Sequence, residues 1–234
     1  MYQIESWIRY SEVNNDCRLS YPALINYLQD AAIAHSDSRG VGTRYLMEAH
    51  RGWVVNSWQI ELYERPALNT EILVETRPYE IKGFFGQRNF RMLGKDGKEY
   101  ARVNSLWVYV DLDTGRPTRV PQEVLDAYTI DEKLDMTEYE RKMKAPSSYE
   151  EKAAIVVPEY FIDTNHHMNN SRYIEVAASF LAEDDAFSGM QVEYKKAAML
   201  GDTMIPRVTR EENSVTIVLA DQAGKEYCIV SFRR

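Results

Sequence analysis

Two cysteines in 234 residues, Cys17 and Cys228, are too few and too far apart for a disulfide framework, and they stand in no metal-ligand spacing. No run of about 18 apolar residues occurs, so no segment reads as a membrane span. The opening stretch, MYQIESWIRYSEV, alternates like a strand and lacks the basic and apolar regions of a signal peptide. Basic charge is also short: 28 Lys and Arg stand against 36 Asp and Glu, a net charge of −8. That balance argues against general nucleic-acid binding, which needs a basic footprint. These absences together predict a reduced, cytoplasmic chain.

Hydrophobic residues make up 44% of the sequence and tyrosines number 16, enough for a sizeable core with amphipathic rims. The length fits one large domain or two of about 100–120 residues each. An internal repeat favours two. GKEY occurs at Gly97–Tyr100 and again at Gly224–Tyr227, 127 residues on (224 − 97). Each copy follows a turn and opens an apolar strand. Upstream, Trp58–Pro78 and Met190–Arg210 both read as strand, break, strand, with Glu61 and Glu193 inside the first strand. Further upstream each half carries an amphipathic helical pattern. The first has Ser20 as N-cap, Pro22 in the first turn and Ala23, Leu24, Tyr27, Leu28, Ala31 and Ala32 on one face. In the second, Tyr173, Ile174, Ala177, Ala178 and Leu181 mark the face. The prediction is a duplicated α+β unit, an antiparallel sheet with one long helix across it. Its bounds are 1–130 and 149–234, joined by a polar linker at 131–148 that follows a short helix at PQEVLDAY.

The stretch DTNHHMNNSRY, Asp163–Tyr173, crowds short polar side chains ahead of the second helix and holds two of the four histidines. The corresponding stretch of the first half, NNDCRLSYP, is polar but has no histidine. Several residues have bland readings. Asn169 and Asn170 suit a helix cap and Asp163 a turn. His166 and His167, being adjacent, point apart in extended chain, and His166 reads as structural or solvent-facing. No other His or Cys lies at ligand spacing, so no metal site is predicted. His35 closes the first helix, where a cation suits the helix dipole. His50 reads as surface, Trp53, Trp58 and Trp107 as core, and Cys17 and Cys228 as small buried hydrophobes. Arg172, Lys195, Lys196, Arg207 and Arg210 form either a solvated surface or a docking patch for an acidic partner.

The pattern D-x-N-x-H-x-N-N-x-x-Y resembles the signature of the acyl-acyl-carrier-protein (acyl-ACP) thioesterases. LINYLQDAAIAHSDSRGVG, WVYVDLDTGRPTRVP and VEYKKAAMLGD are similar to segments of that family, so the resemblance runs over nearly the whole chain. It implies two tandem hotdog units, each an antiparallel sheet wrapped around a long helix. It also implies hydrolysis of fatty acyl thioesters on the carrier protein's phosphopantetheine arm in fatty acid biosynthesis, with no metal or organic cofactor. The first unit carries no catalytic motif. Asp163, Asn165 and His167 fall in the implied active site: His167 as base or water-positioner, Asn165 holding the carbonyl or the water, Asp163 orienting one of them or acting as the base. Asn169, Asn170, Tyr173, Lys195 and Lys196 are assigned to substrate contacts. The sequence departs from the family at Ala197 and Ala198, where members carry a Glu and often a Cys. Either Asp163, already in the motif and the favoured source, supplies the missing carboxylate, or Glu175 or Glu193 substitutes, or activity is weak; Glu193 lies four residues before that point, roughly 13 Å along a strand, too far for simple replacement. The acyl chain is expected beneath the first unit's helix, with Leu24, Leu28 and Ala32 as lining. An acyl-CoA thioesterase of the same fold and a non-catalytic acyl-binding protein are the alternatives, and the chain is expected to be a monomer or homodimer.

Overall fold

The computed structural model describes residues 1–183 and 185–234, and the chain divides into two units, Met1–Glu138 and Tyr139–Arg234.

In the first unit, Ser20 has extended backbone, and its Oγ accepts from Ala23 N at 3.3 Å, satisfying one of the donors a helix start leaves open. Pro22 follows in the first turn, where its missing N–H costs nothing. Helix α1, Tyr21–Ser38, then buries Ala23, Leu24, Tyr27, Leu28, Ala31 and Ala32. The strands are β1 (Tyr2–Trp7), β2 (Arg51–Leu62), β3 (Glu71–Lys82), β4 (Phe85–Gly94), β5 (Glu99–Asp111) and the short β6 (Arg116–Pro117), with helices α2 (Thr43–Glu48) and α3 (Gln122–Ala127) between them and at the end. The sheet order is β1-β3-β4-β5-β2, antiparallel throughout. Side chains on a strand alternate in direction, so one face presents Ile72, Val74 and Thr76, then Arg88, Phe90 and Met92, then Ala101, Val103 and Ser105, then Trp58, Ile60 and Leu62, all buried. This is the face toward α1, since Arg88, which donates to Thr76, also meets His35 of that helix.

In the second unit, two short strands β7 (Glu150–Glu151) and β8 (Ile155–Val156) precede helix α4 (Asn170–Ala178), and β9 (Gly189–Tyr194), β10 (Thr203–Glu211), β11 (Ser214–Ala220) and β12 (Glu226–Arg233) follow. The order is β9-β12-β11-β10, with β7 and β8 along the free side of β10. Helix α4 lies against β11 and β12. The two units thus share one strand order, and the likeness reaches single hydrogen bonds. Tyr100 O accepts from Tyr63 N (2.9 Å) and Glu64 N (3.3 Å); Tyr227 O accepts from Lys195 N (2.8 Å) and Lys196 N (3.2 Å). Gly97 and Gly224, ahead of each KEY, both take the left-handed backbone that favours glycine, at φ +84° and +81°.

Four expectations differ from the structure. Helix α4 stops at Ala178, so Leu181 lies outside it; Asp185 collects Ala182 N, Arg210 and Arg234 and draws the chain away from the helix path. The 131–148 stretch is divided between the units: Asn89 and Glu61 accept from Leu134 N and Thr137 N, whereas Glu193 accepts from Met143 N. Glu61 and Glu193, equivalent positions in the repeat, therefore each hold one end of the connection. Cys17 is exposed, because it takes φ +56° at the tip of a turn. His35 is buried and held neutral, its pKa lowered to about 4 by burial and by the neighbouring charges of Arg88 and Arg39, so His35 is not itself the cation expected at the end of α1.

Candidate active site

Residues 162–169 form a tight loop leading into α4. Ile162 and Met168 pair across it, Asp163 N donates to His167 O at 2.9 Å, and His166 N donates to Asp163 O at 3.0 Å. The turn requires a left-handed residue, and His166 takes it at φ +62°, a conformation that His, Asn and Asp tolerate better than most. Asp163 Oδ1 accepts from Asn165 N at 2.8 Å, so the carboxylate both closes the turn and stays beside Asn165. Asn165, His166 and His167 are exposed at the tip. The Asn165 and His167 side chains make no hydrogen bond among the described residues, which leaves their polar atoms open to a ligand.

Asn169 is the N-cap of α4; its Oδ1 accepts from Ser171 N at 3.0 Å and from Ser171 Oγ at 2.9 Å. The segment after β9 is stitched to this loop from both sides. Met168 N donates to Ala198 O at 2.9 Å, and Ala198 N donates to the Tyr173 hydroxyl at 2.8 Å. Ala197 and Ala198, the positions where the family pattern is broken, therefore adjoin the motif. Tyr173 is 2% exposed, and burial pushes its hydroxyl pKa above the usual range. Its hydroxyl ties α4 to the segment after β9. Asn169 is likewise engaged as a cap, and Asn170 lends its carbonyl to the Tyr194 hydroxyl at 3.0 Å.

The expected basic patch is neutralised. Lys195 Nζ lies 2.6 Å from Glu226, and Lys196 Nζ lies 3.3 Å from Asp221, the pairing that raises the Lys196 pKa. Arg172 pairs with Glu175 at 2.6 Å and Arg210 with Asp185 at 3.2 Å. Glu193 sits within the sheet, bound to Met143 N, and takes no part in the loop.

The first unit repeats the loop without its chemistry. Val13 pairs with Leu19, Asn14 N donates to Arg18 O, Cys17 N donates to Asn14 O, and Leu19 N donates to Pro66 O. Position for position, Asp16 stands where Asn165 does, Arg18 where His167 does, and Arg65 where Ala197 does. There Asp16 is paired with Arg65 and Arg18 with Glu64, so the exposed tip is closed by ion pairs. The contacts of Tyr173 with Ala198 carried no sequence signal, because one partner is a backbone N–H.

Comparison with known proteins supports the same division. A model of the acyl-ACP thioesterase N-terminal domain matches residues 1–128, and one of the acyl-ACP thioesterase C-terminal domain matches residues 143–232. A palmitoyl-acyl carrier protein thioesterase of Gossypium hirsutum is 26% identical over 207 residues, 81% of this chain and 50% of its own length. An oleoyl-acyl carrier protein thioesterase of Arabidopsis thaliana is 28% identical over 193 residues, covering 74% of this chain and 52% of its own. The chain thus spans about half the length of these curated relatives. The crystal structure of an acyl-ACP thioesterase from Bacteroides thetaiotaomicron shares the fold, with a TM-score of 0.89, 24% identity, and coverage of 99% of this chain and 96% of that one. With both domain models falling on the two repeated units, and the motif loop in the second, the chain belongs to the acyl-ACP thioesterase family.

Proposed function

We propose that the chain hydrolyses fatty acyl-ACP thioesters, releasing a free fatty acid and the carrier protein's thiol, and that each unit is a hotdog unit. The observation that carries this reading is the loop at 162–169. It presents Asn165 and His167 with open polar atoms, and a carboxylate held against Asn165, at the start of α4. Water attacks the thioester carbonyl carbon while a base removes its proton; the C–S bond then breaks and the thiolate takes up a proton. His, with a reference pKa of about 6.5, suits the transfer near neutral pH. In this reading His167 accepts or positions, Asn165 holds the carbonyl oxygen or the water, and Asp163 orients Asn165 or serves as the base. The N-terminal end of α4 contributes its dipole to the developing oxyanion.

The bare Ala197 and Ala198 beside the loop favour a second reading, an acyl-binding protein that does not turn over. One assay separates the two. Thiol release is followed with acyl-ACP and acyl-CoA of matched chain length, for the wild type, Asn165→Ala and His167→Ala. Hydrolysis that prefers acyl-ACP and falls about 100-fold or more in both variants supports the proposal. Near-full activity in both variants removes the assigned roles, and binding without thiol release selects the second reading.

A further inference from the structure

The α1-facing side of the first unit's sheet changes character along its strands. One register row runs Thr76, Phe90, Val103, Ile60, and is almost wholly apolar. The next runs Pro78, Arg88, Ser105, Trp58. Arg88 is only 8% exposed, yet among the described residues it has no carboxylate partner. Its Nη1 meets His35 Nδ1 at 3.1 Å and donates to Thr76 Oγ1 at 3.0 Å, its guanidinium lies 5.6 Å from the centre of the Tyr128 ring, and the Tyr128 hydroxyl is a further hydrogen-bond partner. Buried charges ordinarily find an opposite charge, and an Arg stays protonated.

The neighbours offer neutral, shared acceptors and, among the described residues, no counter-charge. His35 has Arg88 at one ring nitrogen and Arg39 Nε at the other, 3.4 Å away, although a neutral imidazole offers one acceptor only. Ser105 Oγ already accepts from Trp107 Nε1 at 2.7 Å and donates to Arg88 O at 3.0 Å. In the same row the indole N–H of Trp58, wholly buried, has no acceptor among the described residues. One buried row thus holds a guanidinium whose partners are all neutral and, among the described residues, an indole N–H with no acceptor.

We propose that this row seats a carboxylate carried on an apolar chain, the chain lying along Phe90, Val103 and Ile60 beneath Leu24 and Leu28 of α1, and the carboxylate meeting Arg88. The identification of the chain as fatty acyl rests on the thioesterase reading; the guanidinium without a counter-charge and the unpartnered indole N–H do not. Two sources share this chemistry: the free fatty acid left by hydrolysis, and an acyl chain bearing a second carboxylate at its far end.

Calorimetric titration of the full chain with decanoate and with decanol tests the first source and needs no turnover. Matched carrier-protein thioesters of decanoate and of decanedioate, the latter with its far end free, test the second by KM. The expected result is a preference of about tenfold or more for the carboxylate ligand in at least one arm, as for a charge-assisted bond. Arg88→Met is expected to bring that preference to within about twofold, and Trp58→Phe to reduce it in part. A preference in the titration assigns the site to the free acid, and one in the KM arm to the far end of the chain. Equal affinity for carboxylate and neutral ligand in both arms of the wild type overturns the inference, whether or not the variants fold. So does a preference that survives in a folded Arg88→Met. Thiol release from the plain decanoyl thioester reports on the thioesterase reading separately.

Discussion

His35 makes the stability of the first unit depend on pH in a direction that can be worked out. Its ring is 1% exposed. Burial, then the charges of Arg88 and Arg39, bring its pKa from 6.5 to about 4. In the unfolded chain the value returns to about 6.5, so between the two the unfolded state binds a proton that the folded state refuses. The stability that neutral His35 contributes is complete above about pH 6.5 and is lost as pH falls toward about 4. At about 1.4 kcal/mol for each pH unit over about 2.5 pH units, the full loss is about 3.5 kcal/mol, of which about 3 kcal/mol has appeared by pH 4. His35→Gln is the informative comparison, since its amide oxygen accepts from Arg88 and does not titrate. Urea unfolding of both proteins from pH 7 to pH 4 measures the difference, in which the other titrating groups largely cancel; the raised pKa of Asp30, which acts with the opposite sign, is common to both. The wild type is expected to lose about 3 kcal/mol relative to His35→Gln across that range. A difference that stays constant with pH refutes the reasoning.

Asp163→Asn keeps an oxygen to accept from Asn165 N but removes the charge, so its unfolding midpoint should match the wild type; if Asp163 is the base, thiol release drops about 100-fold, whereas unchanged turnover reduces Asp163 to a turn residue. Tyr173→Phe strips the acceptor from the buried Ala198 N–H at a cost of roughly 1–3 kcal/mol, seen as a fall of about 2–4 °C in Tm for each kcal/mol; a Tm within 1 °C of the wild type, to order of magnitude, would show that water replaces the hydroxyl. Ala197→Glu places a carboxylate at the position from which Arg65 reaches Asp16 in the first unit, and thiol release should rise about tenfold; no change would mean that Asp163 already supplies the acid.

What was legible in the sequence is what repeats with a local period. Ser20, Pro22 and the apolar stripe from Ala23 to Ala32 announce α1 because capping and helical spacing act within a few residues. The GKEY pair marks two turns that the structure closes in the same way, Gly94 N to Lys98 O at 2.7 Å and Asp221 N to Lys225 O at 2.8 Å. The motif loop was located by its residue types, and its cap, Asn169, by position alone. What failed to show is pairing across long separations. Nothing near His35 in sequence predicts Arg88, 53 residues on, and without Arg88 a histidine in a last helical turn reads as a dipole partner. Lys195 and Lys196 read as a free basic patch until the hairpin after β11 brings Asp221 and Glu226 against them. The same blindness hides the contrast between the units. Asp16 with Arg65 and Arg18 with Glu64 close one copy of the loop, and the residues at the matching places in the other copy, Asn165, Ala197, His167 and Lys196, cannot form either pair. A loop of one backbone shape is thus closed by ion pairs in one unit and left without them in the other, where Asn165 and His167 stay exposed.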